Sequence, residues 1–366
     1  MVQVVLFTAC AAYSIIVISL LLKLFSPPKG RNTHTPSVSV IVAAHNEEQN
    51  IGKCIKHLVS QTYKPELLEI ILVNDRSTDS TEKIISDWAR RYPLIRKIDI
   101  KYPAKNIGPK KNALAHGIAA ATGDILFFTD ADCRPPDRWI EKTMPHFENK
   151  VGLVAGFAPL AGHENNLFHR IIELDTVITA GVAAAGITKQ KPITCNGRNL
   201  AYRKKVYDQV QGFATISRPL AGDDDLFLHL VATRTNWECR YSWSSETFVG
   251  SSAPRTLKNY FAQRRRHIST SMYYPLNTKL GYAVYHAGNI IIFFFLFYSI
   301  ASGSFIASAS FVFLVKCVID FLFIKKTTTT FSKQHLLKYF LFWEFFTVLS
   351  NALIGPLGFL RKVTWK

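Results

Sequence analysis

The chain has 366 residues, 48% of them hydrophobic, with 44 Lys+Arg against 26 Asp+Glu and a formal net charge of +18. That length admits one large α/β domain or two small ones beside membrane segments, and the charge favours anionic partners such as acidic headgroups or phosphorylated substrates. Nucleic acid is set aside because no helix-turn-helix, zinc-finger or RNP-type pattern is present, and six scattered cysteines without a CxxC pair argue against a disulfide framework or structural zinc.

From the N-terminus, Val4 to Leu22 is an uncharged apolar run of 19 residues. It is long enough to cross a hydrocarbon core of roughly 30 Å at about 1.5 Å per residue. A cleaved signal peptide is the competing reading. The run has no Lys or Arg before it, and Lys23, Lys29 and Arg31 follow it, which favours an anchor over residues 1–31. By the positive-inside tendency those cations stay cytosolic, and so does the middle of the chain.

Between about 32 and 270, short β-branched runs alternate with amphipathic stretches. Val38–Ala43, Glu69–Val73, Lys97–Ile100 and Ile125–Thr129 read as strands; Asn50–Ser60, Thr81–Arg91 and Gly108–Ala121 read as helices. Asp79-Ser80-Thr81-Glu82 carries a capping-box signal. This alternation predicts an α/β domain with a mostly parallel sheet covered on both faces, whose ligands sit beyond the carboxyl ends of the strands.

Three acidic clusters fall at such loop positions: Asn74-Asp75, Asp130-Ala131-Asp132 and Asp223-Asp224-Asp225. Each also has a structural reading, as a turn or as a favourable charge at a helix N-terminus. Asp130 and Asp132 offer two hard oxygen ligands on one loop, enough for Mg²⁺ or Mn²⁺ when phosphate oxygens complete the shell. Lys105, Lys110 and Lys111 lie upstream, either assisting with phosphate or as a solvated helix face. The Asp223–Asp225 cluster supplies candidates for a general base, since mutual repulsion raises one pKa. Gln263-Arg264-Arg265-Arg266-His267 reads either as a juxtamembrane basic patch or as an arginine clamp on a diphosphate.

The remainder, 271–366, is a membrane region. Gly281 to Val315 is free of Asp, Glu, Lys and Arg, and Ser302-Gly303-Ser304 breaks it into expected spans at about 281–301 and 304–324, returning at Lys325-Lys326. Lys316 and Asp320 are four apart and expected to pair. The apolar segment 336–360 contains Lys338, Glu344 and Pro356 and ends in Arg361-Lys362 and Lys366. It is expected as a re-entrant or interfacial hairpin, with a full span as the alternative.

Taken in order, these motifs over about 36–270 resemble the family-2 inverting glycosyltransferases of the GT-A fold, a Rossmann-like α/β architecture. The resemblance implies that Glu47 and Asp75 contact the nucleoside and that Asp130 lies near the nucleotide-sugar. It implies further that Asp132 ligates Mg²⁺ or Mn²⁺ with Asp130. Gly222-Asp-Asp-Asp-Leu226 resembles the Glu-Asp-x-Asp-Leu segment, with Gly222 replacing Glu; Asp223 takes the base position and Asp225 is the further catalytic candidate. Gln263-Arg-Arg-Arg-His267 resembles Gln-x-x-Arg-Trp, so Gln263 and Arg266 serve the acceptor and diphosphate. His267 stands where the family has Trp. Lys110 and Arg265 are expected on the phosphates, and Thr194–Asn199 resembles the segment lining the acceptor side.

The expectation is a metal-dependent hexosyltransferase in a bacterial inner membrane, with its catalytic domain cytosolic. It moves a sugar from a nucleotide-diphosphate sugar, most simply a UDP-sugar, to a lipid or lipid-linked acceptor. The few C-terminal spans turn the choice toward a single transfer resembling ceramide glucosyltransferase-like enzymes. A processive polysaccharide synthase and a non-catalytic membrane scaffold are the alternatives.

Overall fold

The computed structural model describes residues 2–161, 166–254 and 256–360, with side chains for all of these but 161 and 354–360. The expected terminal cations Arg361, Lys362 and Lys366 lie outside the described residues. In chain order the elements begin with helix α1 (Val2–Lys23), β1 (Val38–Ala44), α2 (Ile51–Val59), β2 (Leu68–Asp75), α3 (Thr81–Arg91), β3 (Ile95–Ile100) and α4 (Pro109–Ala120). They continue with β4 (Ile125–Phe128), β5 (Cys133–Arg134), α5 (Trp139–Thr143), β6 (Val151–Gly156), β7 (Leu160–Ala161), α6 (Leu167–Thr188), β8 (Leu200–Arg203) and α7 (Lys204–Gln209). Last come α8 (Asp225–Arg234), β9 (Glu238–Ser242), β10 (Gly250–Ser252), α9 (Leu257–Ser271), α10 (Leu276–Ser302), α11 (Ile306–Thr330) and α12 (Phe340–Leu360).

These elements cluster into two compact units. The α/β unit covers Pro28–His163 and Gly186–Pro254; the helical unit covers Met1–Pro27, Glu164–Ala185 and Arg255–Lys362. Within the stretch 32–270 expected as one domain, α6 and α9 therefore group with the apolar helices.

In the α/β unit a seven-stranded sheet runs in the order β3-β2-β1-β4-β8-β6-β9. Strands β3, β2, β1 and β4 are parallel, β8 runs antiparallel to β4 and β6, and β9 is parallel to β6. Nearly every side chain of β1 and β2 is buried, as expected of central parallel strands covered on both faces. Val40, Val42, Ile70, Leu72 and Phe127 form the core with Trp139, whose ring meets Phe127 edge-on at 4.9 Å. Full burial of a side chain such as Phe127 contributes roughly 2–3 kcal/mol. A small second sheet, β5-β10-β7, stands beyond the end of β4.

The first four strands and the three helices between them follow the sequence expectation closely. The expected capping box does not form. Ser80 gives no side-chain cap; instead Asp79 Oδ1 accepts from Thr81 N at 3.0 Å and Glu48 Oε2 accepts from Ser80 N at 2.9 Å. Glu82 is drawn away to Lys97 Nζ at 3.1 Å, a charged partner the local pattern did not include.

Among the described residues of the helical unit, five helices are long and apolar enough to cross a membrane: α1, α6, α10, α11 and the stretch Gln334–Leu353, which includes the first part of α12. On α1, Leu6, Cys10, Tyr13, Val17 and Leu20 form one buried stripe, and Leu6 and Cys10 cluster with Ile292, Ala309 and Val312. Helices α10 and α11 break where expected, at Ser302-Gly303-Ser304. Helix α11 continues past Lys325-Lys326 to Thr330, and there Thr327 to Thr330 donate their hydroxyls back to carbonyls of the preceding turn.

The segment expected as a hairpin is instead one continuous helix, α12, entered through a 3₁₀ turn at Gln334–Tyr339. Its acidic residue Glu344 is buried against Lys316. The expected pair Lys316–Asp320 forms at 2.7 Å, and Tyr13 donates to Asp320 at 2.6 Å.

Candidate active site

The parallel arrangement of β1, β2 and β4 delivers three expected acidic groups to the carboxyl edge of one sheet. Glu47 follows β1, Asp75 closes β2, and Asp130 and Asp132 follow β4. Asp75 is buried, and its carboxylate is gripped by the next residue, with Arg76 Nε at 2.7 Å and Nη2 at 3.2 Å. Arg76 reaches back because its φ is +56°, in the left-handed region. Glu47 accepts from Asn50 at 2.8 Å, and its pKa is raised, first by burial and then by the charges of Asp132 and Asp130.

Asp223 arrives from the far side of the sheet, on the loop entering α8. Gly222 precedes it with φ +97°, a backbone conformation side-chain-bearing residues avoid, which explains glycine where the resemblance has Glu. Lys110, in the first turn of α4, joins the two halves: its Nζ lies 2.8 Å from Asp130 Oδ1 and 3.1 Å from Asp223 Oδ2. Burial works against the Lys110 charge, but Asp130, Asp223 and Asp224 more than offset it and hold its pKa above the usual lysine range. Asp223 is pushed above the usual carboxylate range by burial, which Lys110 opposes and Asp224 and Asp130 reinforce.

The three consecutive aspartates divide by partner. Asp224 caps α8, accepting from Asp225 N at 2.8 Å and from Gly197 N at 2.9 Å. Asp225 turns inward and accepts from Thr194 Oγ1 at 2.8 Å and Cys195 N at 2.9 Å. Asp223 pairs with Lys110 Nζ at 3.1 Å. The sequence could not make that division, because it depends on amides of residues 195 and 197, some thirty positions away.

A divalent cation suits Asp130 and Asp132. Asp132 has a raised pKa, caused first by burial and then by Asp130, with the Arg198 guanidinium opposing; two close carboxylates disfavouring each other's charge are what a cation relieves. Among the described residues no group of three or more His, Cys, Asp or Glu side chains converges on one point, so phosphate oxygens of a ligand would have to complete the shell. Arg198 was not singled out from the sequence. It is held by Asn196 Oδ1 at 3.0 Å and by the Ser251 hydroxyl. Asn199 beside it is buried, bonded to Trp139 Nε1 at 2.9 Å and to the carbonyls of Phe157 and Thr247.

Gln263, Arg265 and Arg266 belong to the helical unit, on α9. All three are partly exposed. Arg264, between them, turns inward to Asp175 Oδ2 at 3.3 Å and Asn351 Oδ1 at 3.2 Å. Trp343 Nε1 donates to the other Asp175 oxygen at 3.1 Å. Arg264 therefore ties α9 to α6 and α12.

Comparison with known proteins gives one family, described as Glycosyl transferase family 2, matching residues 39–221. The chain is similar to a probable glycosyltransferase, YdaM, of Bacillus subtilis, at 29% identity over 299 residues, covering 78% of this chain and 68% of that protein. It is also similar to a beta-monoglucosyldiacylglycerol synthase of Synechocystis, at 35% identity over 112 residues, covering 31% of this chain but only 23% of that one. The fold matches that of the mannosyltransferase PcManGT from Pyrobaculum calidifontis, solved with GDP-Man and Mn²⁺, with a TM-score of 0.58 and 17% identity over 95% of this chain and 99% of that one. This GT-A-like architecture is the fold class expected from the sequence.

Proposed function

This chain belongs to Glycosyl transferase family 2, and from that premise we propose that it is a membrane-bound, inverting, metal-dependent hexosyltransferase. It moves a sugar from a nucleotide-diphosphate sugar to a lipid or lipid-linked acceptor at the cytosolic face of a bacterial inner membrane. The observation that carries the reading is the meeting of Asp130 and Asp223 on the single ammonium of Lys110.

In this reading Asp223 takes the proton of the acceptor hydroxyl as its oxygen bonds to the anomeric carbon and the bond to the diphosphate breaks. Lys110 keeps Asp223 ionised until then. Asp130 and Asp132 would hold Mg²⁺ or Mn²⁺ together with the donor diphosphate. Such a cation, when bound, neutralises charge that develops on the departing diphosphate. Glu47 and Asp75 face the nucleoside, and Gln263, Arg265 and Arg266 serve the diphosphate and acceptor, since guanidinium pairs bidentately with phosphate. Asp225 acts through the Thr194 hydroxyl and the Cys195 N–H that it holds. The glucolipid synthase relative supports a lipid acceptor, the five apolar helices among the described residues support a membrane location, and the Mn²⁺ and GDP-Man of PcManGT support a metal and a nucleotide-sugar.

The test is a screen of UDP- and GDP-sugars against a membrane lipid extract with Mg²⁺ or Mn²⁺, comparing wild type with Asp223→Asn. Nucleotide release with a new glycolipid by mass spectrometry, both absent in the variant, is the expected result. Long polymer without glycolipid would make the protein a polysaccharide synthase, and no metal-dependent release from any donor would leave it a non-catalytic scaffold.

A further inference from the structure

The lysine beside Lys110 has a different set of partners and is the more unusual of the two. Lys111 is fully buried. Its ammonium donates to the main-chain carbonyls of Ile216, of Pro219 at 2.5 Å and of Ala221 at 3.2 Å. No carboxylate pairs with it among the described residues. A buried lysine charge is costly unless its donors are satisfied, and three carbonyls satisfy all three N–H groups. All three carbonyls come from one short segment, 216–221, which leads through Gly222 to Asp223.

The first turn of α4 also touches this segment through its backbone. A Cβ on Gly108 would stand 2.7 Å from the Leu220 carbonyl oxygen, so the close approach requires glycine. Adjacent lysines thus hold the same residue in two ways. Lys110 meets the Asp223 carboxylate, while Lys111 sits inside the loop that carries it.

We propose that Lys111 is a positioning residue that fixes the main chain of 216–222 and thereby the placement of the Asp223 carboxylate. The role rests on the reading of Asp223 as the base. Lys111 touches neither substrate nor reacting atoms; it acts through the carbonyls of Ile216, Pro219 and Ala221. A base displaced by about 1 Å loses on the order of 100-fold in rate while a binding site elsewhere on the sheet edge is undisturbed.

The experiment uses the full chain in detergent with Lys111→Met, which keeps the apolar stem and removes the ammonium, and Lys111→Gln, which keeps two N–H donors. For Lys111→Met, kcat for nucleotide release should fall about 100-fold, with affinity for the nucleoside diphosphate and Mn²⁺ unchanged within about two-fold. Amide hydrogen exchange should accelerate over 216–222 and not over β1 or β2. Lys111→Gln should recover part of the kcat; if Lys111→Met does not fold, the same pattern in weaker form is expected from Lys111→Gln alone. Unchanged kcat, or unchanged exchange over 216–222, overturns the role. So does a loss of nucleotide affinity as large as the loss of kcat. A wild type that releases nucleotide from no donor overturns the proposed function and this role with it. An active wild type beside an equally active Lys111→Met overturns this role alone.

Discussion

Lys110 Nζ stands 3.1 Å from Asp223 Oδ2, and the same ammonium lies 2.8 Å from Asp130 Oδ1. Burial raises the Asp223 pKa, and Lys110 is the cation that restrains the rise. The acid limb of kcat/KM should accordingly lie above the usual aspartate range. Lys110→Met removes the restraint and should move that limb to still higher pH, read from nucleotide release across a pH series. A limb that stays where the wild type has it would separate Lys110 from the base.

Asp223 and Asp225 should fail differently when neutralised. Asp223→Asn removes the group facing Lys110 and should lower kcat by at least about 100-fold with little change in unfolding. Thr194 Oγ1 and Cys195 N both donate to the same oxygen, Asp225 Oδ1, so Asp225→Ala removes the acceptor of both. Losing these hydrogen bonds should cost ~1–3 kcal/mol of stability. Thermal unfolding measured beside kcat separates the two. Equal destabilisation by both substitutions would undo the division of labour among the three aspartates.

Among the described residues, the α/β unit carries two buried histidines whose protonation opposes folding. His146 and His229 are both pushed down to about 4, in each case mainly by burial, with Arg240 adding at His146. In the unfolded chain a histidine takes up its proton near pH 6.5. Between those values the unfolded state binds more protons, so stability falls as pH drops from about 6.5 towards about 4. From pH 7 to pH 5 the loss should be ~2 kcal/mol per histidine. His229→Gln should flatten the slope, as measured by unfolding midpoints at the two pH values; a slope equal to the wild type's would refute the assignment.

The sequence was most legible where a pattern is local. Four β-branched runs and three amphipathic stretches appear at their expected places because parallel strands buried on both faces leave a dense apolar signature. The clusters at the strand ends were legible for the same reason. What escaped depends on distant partners. Helix α6 was not singled out because Arg170, Glu173 and Asp175 interrupt its apolar run; in the structure Glu173 pairs with Arg170 and Lys333, and Asp175 with Arg264. Lys111, expected either to assist with phosphate or to lie on a solvated helix face, is instead buried on the carbonyls of Ile216, Pro219 and Ala221, partners that no side-chain pattern reports.

The same dependence on distant partners governs the apolar helices. Lys316 is buried between Asp320 on its own helix and Glu344 on α12, and Tyr13 of α1 donates to Asp320. One ammonium thus serves two carboxylates, and the tyrosine hydroxyl supplies a further donor. Removing only the cation leaves two buried carboxylates facing each other, which should cost ~3–5 kcal/mol. Tyr13→Phe removes one hydrogen bond and should cost ~1 kcal/mol. Combining Lys316→Met with Glu344→Gln should be milder than Lys316→Met alone, because one of the stranded charges is gone. Unfolding by added SDS, followed through helicity in mild detergent, orders the three variants. If Lys316→Met unfolds with the wild type, the cluster does not hold α1, α11 and α12 together.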